Sequence, residues 1–373
     1  MLAGNPDADG SISPQRRQIS LLDLPVELFD LIIALLSVLP LDLNFSAIRN
    51  LYALSNPYHG FQDRTNVLRA LSQACQRLRT LCIPLLWERL DLVFVPWADK
   101  SLRDREVALR FTTIISTRKL NDMSSEMTLN AKYIMHLSIA LPYYDYASKF
   151  YEALAAAVVA MPALVSLQVV TGDWQKMNAD ECHDLRAIDW TRVHTLSAGS
   201  GAAPIMSLFQ HVRRVVMTGI NNPRDMEMLK SFVRVERLEG SGLWSRHASV
   251  NEYNAKDVLA IAGKLKHLEL VANSDNGYID FLAALNTLHA FKELQTLVLT
   301  LNEHLRLIKS IPTSKQELDD AYASTLSVTR AFMEDRREAE GRRKLVVRYI
   351  EWADYRSGFD PGRILYETVT MFD

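Results

Sequence analysis

Two short stretches of this chain place reactive or phosphate-binding residue types at spacings that do chemistry elsewhere. Gly199-Ser200-Gly201-Ala202-Ala203-Pro204 follows an expected strand and precedes a helical pattern, the setting of a dinucleotide-binding turn whose backbone amides cradle a pyrophosphate. The last position is proline, however, and no hydrophobic βαβ strand follows to bring a carboxylate to a ribose. A tight turn with Pro204 opening a helix accounts for it. Glu181-Cys182-His183-Asp184 sets a thiol beside an imidazole, the pairing that activates a cysteine nucleophile. It lies in a polar, loop-like stretch. The sequence contains no GxxxxGK[ST], HExxH or GxSxG pattern. A hydrolase or transferase on an α/β fold is therefore a remote reading, with no catalytic residue assigned and no cofactor expected.

Composition narrows the classes further. The 373 residues carry 42 Lys and Arg against 44 Asp and Glu, a net charge of −2, which lacks the basic footprint of a nucleic-acid binder. The three cysteines, Cys75, Cys82 and Cys182, form no CxxC pair and suit neither a disulfide scaffold nor a metal site. No apolar signal stretch opens the sequence. Its longest uncharged apolar run, Leu31 to Leu41, is too short to cross a bilayer. The expectation is an intracellular protein in a reducing compartment, with neither nucleic acid nor membrane as partner. The hydrophobic fraction of 48% supports a sizeable core and about two regions.

Residues 1–18 mix Gly, Pro, Asp, Ser and Arg without period and read as a disordered tail. In Leu24-Pro25-Val26-Glu27-Leu28, proline suits a first helical turn and Glu27 complements the helix dipole. The helix expected to follow, to about Ser37, has apolar residues at Leu28, Ile32, Leu35, Leu36 and Leu39 and again at Phe29, Leu31 and Ile33. Its apolar surface is wider than one core-facing stripe, so it needs contacts on more than one side. A loop with a short helix spans Pro40 to Arg64. Leu68, Leu71, Cys75, Leu78 and Cys82 then form one face of a single helix that Pro84 should end. Leu85, Leu86 and Trp87 lead into an expected strand at Leu90 to Phe94.

The Leu-Pro-x-Glu-Leu start, the Leu68-x-x-Leu71-Ser72-x-x-Cys75-x-x-Leu78 helix and the Pro84-Leu85-Leu86-Trp87 end, in that order, resemble an F-box of the fungal type. The resemblance covers roughly residues 20–90, with a longer stretch between Leu39 and Asn66 than the compact pattern has. It implies a three-helix module, residues 19–95, that packs onto the Skp adaptor of a cullin-RING ubiquitin ligase. The adaptor contacts it implies are Leu24, Pro25 and Leu28, with Leu68, Leu71 and Cys75 as further contributors. Internal helix packing is the plain alternative for each.

Residues 96–130 read as a helical linker, with Leu102, Val107, Leu109 and Ile114 as the apolar face of a helix over 101–116. From 131 to 305 a pattern, apolar-x-x-apolar-x-apolar, recurs seven times. Its central positions are Leu137, Leu167, Leu196, Val215, Leu238, Leu268 and Leu297. The spacings fit leucine-rich repeats, whose period is about 20 to 29 residues. Leu265-x-x-Leu268-x-Leu270-x-x-Asn273 and Leu294-x-x-Leu297-x-Leu299-x-x-Asn302 keep the asparagine as well. Helical patterns such as Phe150-Leu154-Ala157-Val158-Met161 lie between strands, so each unit reads strand, loop, helix and buries its core against its neighbours. An ordinary α/β domain with evenly spaced strands is the alternative.

By the two-residue period of a strand, the residues flanking each central position point away from that core. His136, Gln168, Arg214, Arg237, Glu239, His267 and Glu269 are the candidates there for holding a client protein. Tyr143, Tyr144, Tyr146, Trp174 and Trp244, in loops after strands, read mainly as wedges between units. Residues 306–373 read as a cap: a helix opened by Ser314-x-x-Glu317 with Leu318, Tyr322, Leu326 and Met333 on one stripe, then a strand over Leu345 to Trp352.

The expected fold is thus α+β and multidomain, an F-box-like helical module followed by an α/β leucine-rich-repeat-like solenoid with a helix and strand cap. The expected function is non-enzymatic: a substrate receptor that binds the Skp adaptor at one end and an unidentified client at the other. A scaffold whose degenerate F-box no longer engages the ligase is the second class.

Overall fold

The computed structural model describes residues 58–92, 102–124, 129–141, 146–170, 183–199, 202–218, 228–241, 262–272, 291–302, 343–351 and 363–372, with single positions among 25–31 and 323–334. The tail at 1–18, the expected helix after Ser314 up to Tyr322, and Cys182, Tyr143, Tyr144, Trp174 and Trp244 lie outside the described residues.

Helix α1 (Tyr58–Ala74) and helix α2 (Gln76–Trp87) replace the single helix expected around Cys75. Cys75 is extended, at φ −160° and ψ 165°, and its Sγ accepts the N–H of Leu78 at 3.5 Å as an N-cap. On one straight helix Leu68 would lie about 20 Å from Cys82, at a rise of about 1.5 Å per residue. The break instead brings Leu68, Leu78 and Cys82 together in one buried cluster, flanked by Leu71, Cys75, Leu81, Leu85 and Leu86. Pro84 does not end α2, which runs on to Trp87. A proline inside a helix costs about 3 kcal/mol. Continuing the helix packs Leu85 and Leu86 on the hairpin and Trp87 on the main core, which offsets that cost.

Ten strands follow in one sheet, ordered as they occur in the chain: β1 (Arg89–Leu92), β2 (His136–Ala140), β3 (Ser166–Val170), β4 (Thr195–Gly199), β5 (Arg214–Thr218), β6 (Arg237–Ser241), β7 (His267–Ala272), β8 (Thr296–Asn302), β9 (Arg343–Glu351) and β10 (Arg363–Phe372). Strands β1 to β9 are parallel and β10 runs antiparallel beside β9. The seven pattern copies fall on β2 to β8. Their central residues are direct partners in one line, Leu137 to Leu167, Leu196, Val215, Leu238, Leu268 and Leu297. Leu90 and Leu345 extend that line at either end.

One register, strand after strand, puts aliphatic side chains in continuous rows, and these rows with the intervening helical residues make one core. Helix α4 (Ala147–Val159) buries Phe150, Leu154, Ala157 and Val158, as its period predicts. Helix α3 (Leu102–Ser124) runs eight residues further than expected and is turned on its axis. Val107 and Ile114, expected inside, are exposed together with Phe111, while Leu109, Thr112, Thr113, Ser116, Leu120 and Met123 are buried. The hydroxyls make this orientation affordable: Thr113 Oγ1 bonds the Leu109 carbonyl at 2.9 Å and Ser116 Oγ the Leu92 carbonyl at 2.9 Å. Near the other end, Met333 is fully buried and Leu326 packs on the same core. The Met333 carbonyl accepts from Arg343 Nη1 at 2.6 Å, tying that segment to β9.

Candidate interaction surfaces

Glu27, Leu28 and Leu31 are helical, and the Leu28 amide donates to the Pro25 carbonyl at 3.1 Å, so a helical turn opens where the proline placed it. Pro25 and Glu27 are exposed, and the leucines are 46% (Leu28) and 59% (Leu31) exposed. Leu24 lies outside the described residues. Of the other residues assigned to the adaptor, Leu68 is sealed inside the α1–α2 hairpin at 1% exposure, and Leu71 and Cys75 are half-buried against the same cluster. Leu68 is therefore a packing residue. Its face is used up when the chain reverses at Cys75.

On the sheet, the face opposite the aliphatic rows carries two parallel rows of side chains. The first joins Arg89, His136, Ser166, Thr195, Arg214, Arg237, His267, Thr296 and Lys344 in register. It is half-buried to exposed throughout. The second, two residues further along each strand, includes Ser138, Gln168, Ser197 and Glu239, all buried. Gln168 and Glu239 are thus corrected: neither side chain is open to a client. Parallel strands lie only about 4.8 Å apart, so long side chains fold over their neighbours rather than standing in solvent. Gln168 Oε1 accepts from Ser138 Oγ at 3.0 Å. Over Glu239 lie Arg214, bonding both carboxylate oxygens at 3.0 and 2.6 Å, and Arg237, whose Nε is 3.2 Å away.

This polar network continues along the sheet. Arg89 Nε forks onto Asp91 at 2.9 Å to each oxygen. His267 Nε2 is 3.9 Å from Glu239. Burial pushes the Glu269 carboxyl above the ordinary carboxylate range, and the Glu239 charge adds to this. Arg348 at 3.8 Å and the Thr300 hydroxyl at 3.4 Å oppose the rise. Arg348 in turn donates to Glu367 at 2.6 Å. Burial likewise lowers the His136 imidazole from its usual value, against the pull of Glu88. The sequence reading missed Arg89 and Asp91 at one end and Arg348 and Glu367 at the other. The alternation beside Leu90 and Leu345 is the signal that finds Arg89, Asp91 and Arg348.

The result is a strip of mixed charge in which acids and bases are bonded to one another. Arg237, half-exposed, and the half-buried His136, Arg214, His267 and Glu269 are the client candidates that reach its surface. Elsewhere, His183 heads a four-residue helix, α5 (His183–Arg186), with its side chain 87% exposed and 3.8 Å from Asp184. Helix α6 (Ala203–Met206) is the next described element after β4, with Pro204 as its second residue. Between α4 and α5 lies a groove of about 480 Å³ floored by Ala155, Val158, Met161, Ile188 and Trp190. Its charged rim is satisfied locally: Asp189 accepts the Thr191 amide at 3.0 Å, and Arg192 bonds the Pro162 carbonyl at 3.1 Å. Among the described residues, no grouping of three or more His, Cys, Asp or Glu is placed to hold a metal ion, and no helix is long and apolar enough to cross a membrane.

Compared with protein families, curated proteins and solved structures, the chain matches none.

Proposed function

We propose that this chain is the substrate-recognition subunit of an SCF-type ubiquitin ligase. Its F-box-like region binds the Skp adaptor and its strand array, read as a leucine-rich-repeat-like solenoid, holds a client protein. Transfer of ubiquitin belongs to other subunits, and the receptor contributes proximity, raising the effective concentration of client lysines beside the transfer machinery. The observation that supports this reading is the exposure of Leu28 and Leu31 at the head of the Pro25 helix. Fully burying a leucine is worth about 1.5–3 kcal/mol, so two uncovered on one helical turn favour a second polypeptide. On the sheet, the row through His136, Arg214, Arg237 and His267 is the part of the client strip within reach.

Burial of Leu68 favours one narrower variant, a scaffold that does not engage the ligase, because it shrinks the adaptor set to Leu24, Pro25 and Leu28 with the half-buried Leu71 and Cys75. Co-purification separates the two. Wild type should recover the Skp adaptor, and Leu28→Asp combined with Leu31→Asp should lose it while the chain stays folded. Recovery by neither leaves the scaffold, and equal recovery by both removes the assignment of this helical turn as the adaptor contact.

A further inference from the structure

The two ends of the ten-stranded sheet are finished differently. At one end, β1 is four residues long, and its last carbonyl, on Leu92, is taken by Ser116 of α3. At the other end, β10 is ten residues long, and among the described residues no strand lies beyond it. A long edge strand is a template for pairing, which folded proteins ordinarily blunt with lysine, proline or a bulge. Here a bulge interrupts the β9–β10 register between Ile364 and Tyr366, and from Tyr366 to Phe372 the pairing is regular. That regular stretch contains neither lysine nor proline. Its one charge, Glu367, is bonded to Arg348 on β9. Val369 and Met371 are about half exposed.

The regular stretch reads almost alike in both directions. In Tyr366-Glu367-Thr368-Val369-Thr370-Met371-Phe372, an aromatic residue stands at each end and a threonine on each side of Val369. We infer that β10 pairs antiparallel with β10 of a second copy of this chain, about a two-fold axis through Val369. In that register Tyr366 lies opposite the partner's Phe372, Thr368 opposite the partner's Thr370, and Val369 opposite the partner's Val369. Aromatic, threonine and β-branched pairs are those that stabilise neighbouring antiparallel strands. Moving the axis to Glu367 would oppose like charges. An axis between residues would set a core-facing side chain against a solvent-facing one. Centring on Val369 also keeps the whole regular stretch in the ladder and leaves both bulges outside it. The interface is isologous and closes at two copies, with the aliphatic faces of both sheets on the same side.

Val369 is the residue to test, because it lies on the axis and its side chain is half-exposed, so a charge there keeps contact with water. Sedimentation equilibrium of the full chain should show a monomer–dimer exchange at micromolar concentration. Val369→Lys and Val369→Glu should each weaken it by about tenfold, since each sets like charges directly opposite. An equimolar mixture of the two variants should regain dimer, as lysine then faces glutamate. Unchanged far-UV circular dichroism in both variants checks that the fold is kept. A monomeric wild type, a dimer indifferent to both variants, or a mixture no better than either variant alone would each overturn the inference.

Discussion

Arg214 reaches diagonally past Arg237, its register partner, to hold both oxygens of Glu239 on the next strand. With Arg237 on the same carboxylate and His267 beside it, the contact clamps β5, β6 and β7 just where the β6–β7 register slips between Leu238 and Ser241. Removing one partner of a buried ion pair costs about 3–5 kcal/mol when the other is left alone. Arg237 still covers Glu239 here, so Arg214→Ala should cost about 2 kcal/mol, read as a lower urea midpoint. Arg237→Ala, at a half-exposed side chain, should cost less than about 1 kcal/mol. Equal losses for the two would show that Arg214 is not the principal partner.

The Glu269 carboxyl is raised by burial and by Glu239, so the folded state holds its proton to higher pH than the unfolded chain does. The folded state therefore binds more protons between the two values, and stability falls as pH rises through that window. Glu269→Gln should lift the urea midpoint at neutral pH and change it little in acid. A variant that loses stability equally at both pH values would mean that its contacts with Arg348 and Thr300 outweigh the burial cost.

Leu68 should behave as a core residue of the hairpin. Leu68→Ala is expected to cost about 2–3 kcal/mol, seen as faster proteolysis within residues 58–87. Cys82 shares that cluster, and burial, with Cys75 nearby, pushes its thiol up. In the native protein Cys75 should alkylate well before Cys82. Simultaneous labelling would mean the hairpin is open in solution.

Ser116→Ala removes the hydroxyl that satisfies the Leu92 carbonyl and leaves a buried acceptor without this bond. The expected loss is about 1–2 kcal/mol, with early hydrogen exchange in β1 and β2 by mass spectrometry. Protection unchanged in both strands would show that α3 does not anchor this end of the sheet.

Strands β2 to β8 were readable because the apolar-x-x-apolar-x-apolar pattern recurs in every unit, even where Ala198 and Gly240 replace larger aliphatics; β10 was missed, since the expected cap held a single strand after its helix. Three further features were not readable, each for its own reason. The face through Leu68, Leu71, Cys75, Leu78 and Cys82 keeps helical spacing straight across the break, so nothing in its period betrays the extended backbone at Cys75. On α3 the buried side is built from Thr112, Thr113 and Ser116, and hydroxyls bonded to carbonyl groups pass for a solvated face. Burial of Gln168 and Glu239 depends on neighbours 25 to 30 positions away, Ser138, Arg214 and His267, which no single strand discloses.

Because every strand lies between its predecessor and its successor in the chain, no pairing waits for a distant segment to be made. Assembly can proceed in the direction of synthesis, each new unit docking on a finished surface as it leaves the ribosome. Loop-closure entropy then never exceeds that of one unit at a time. An arrest part-way through translation would leave a shorter stack with one raw flank instead of a collapsed chain.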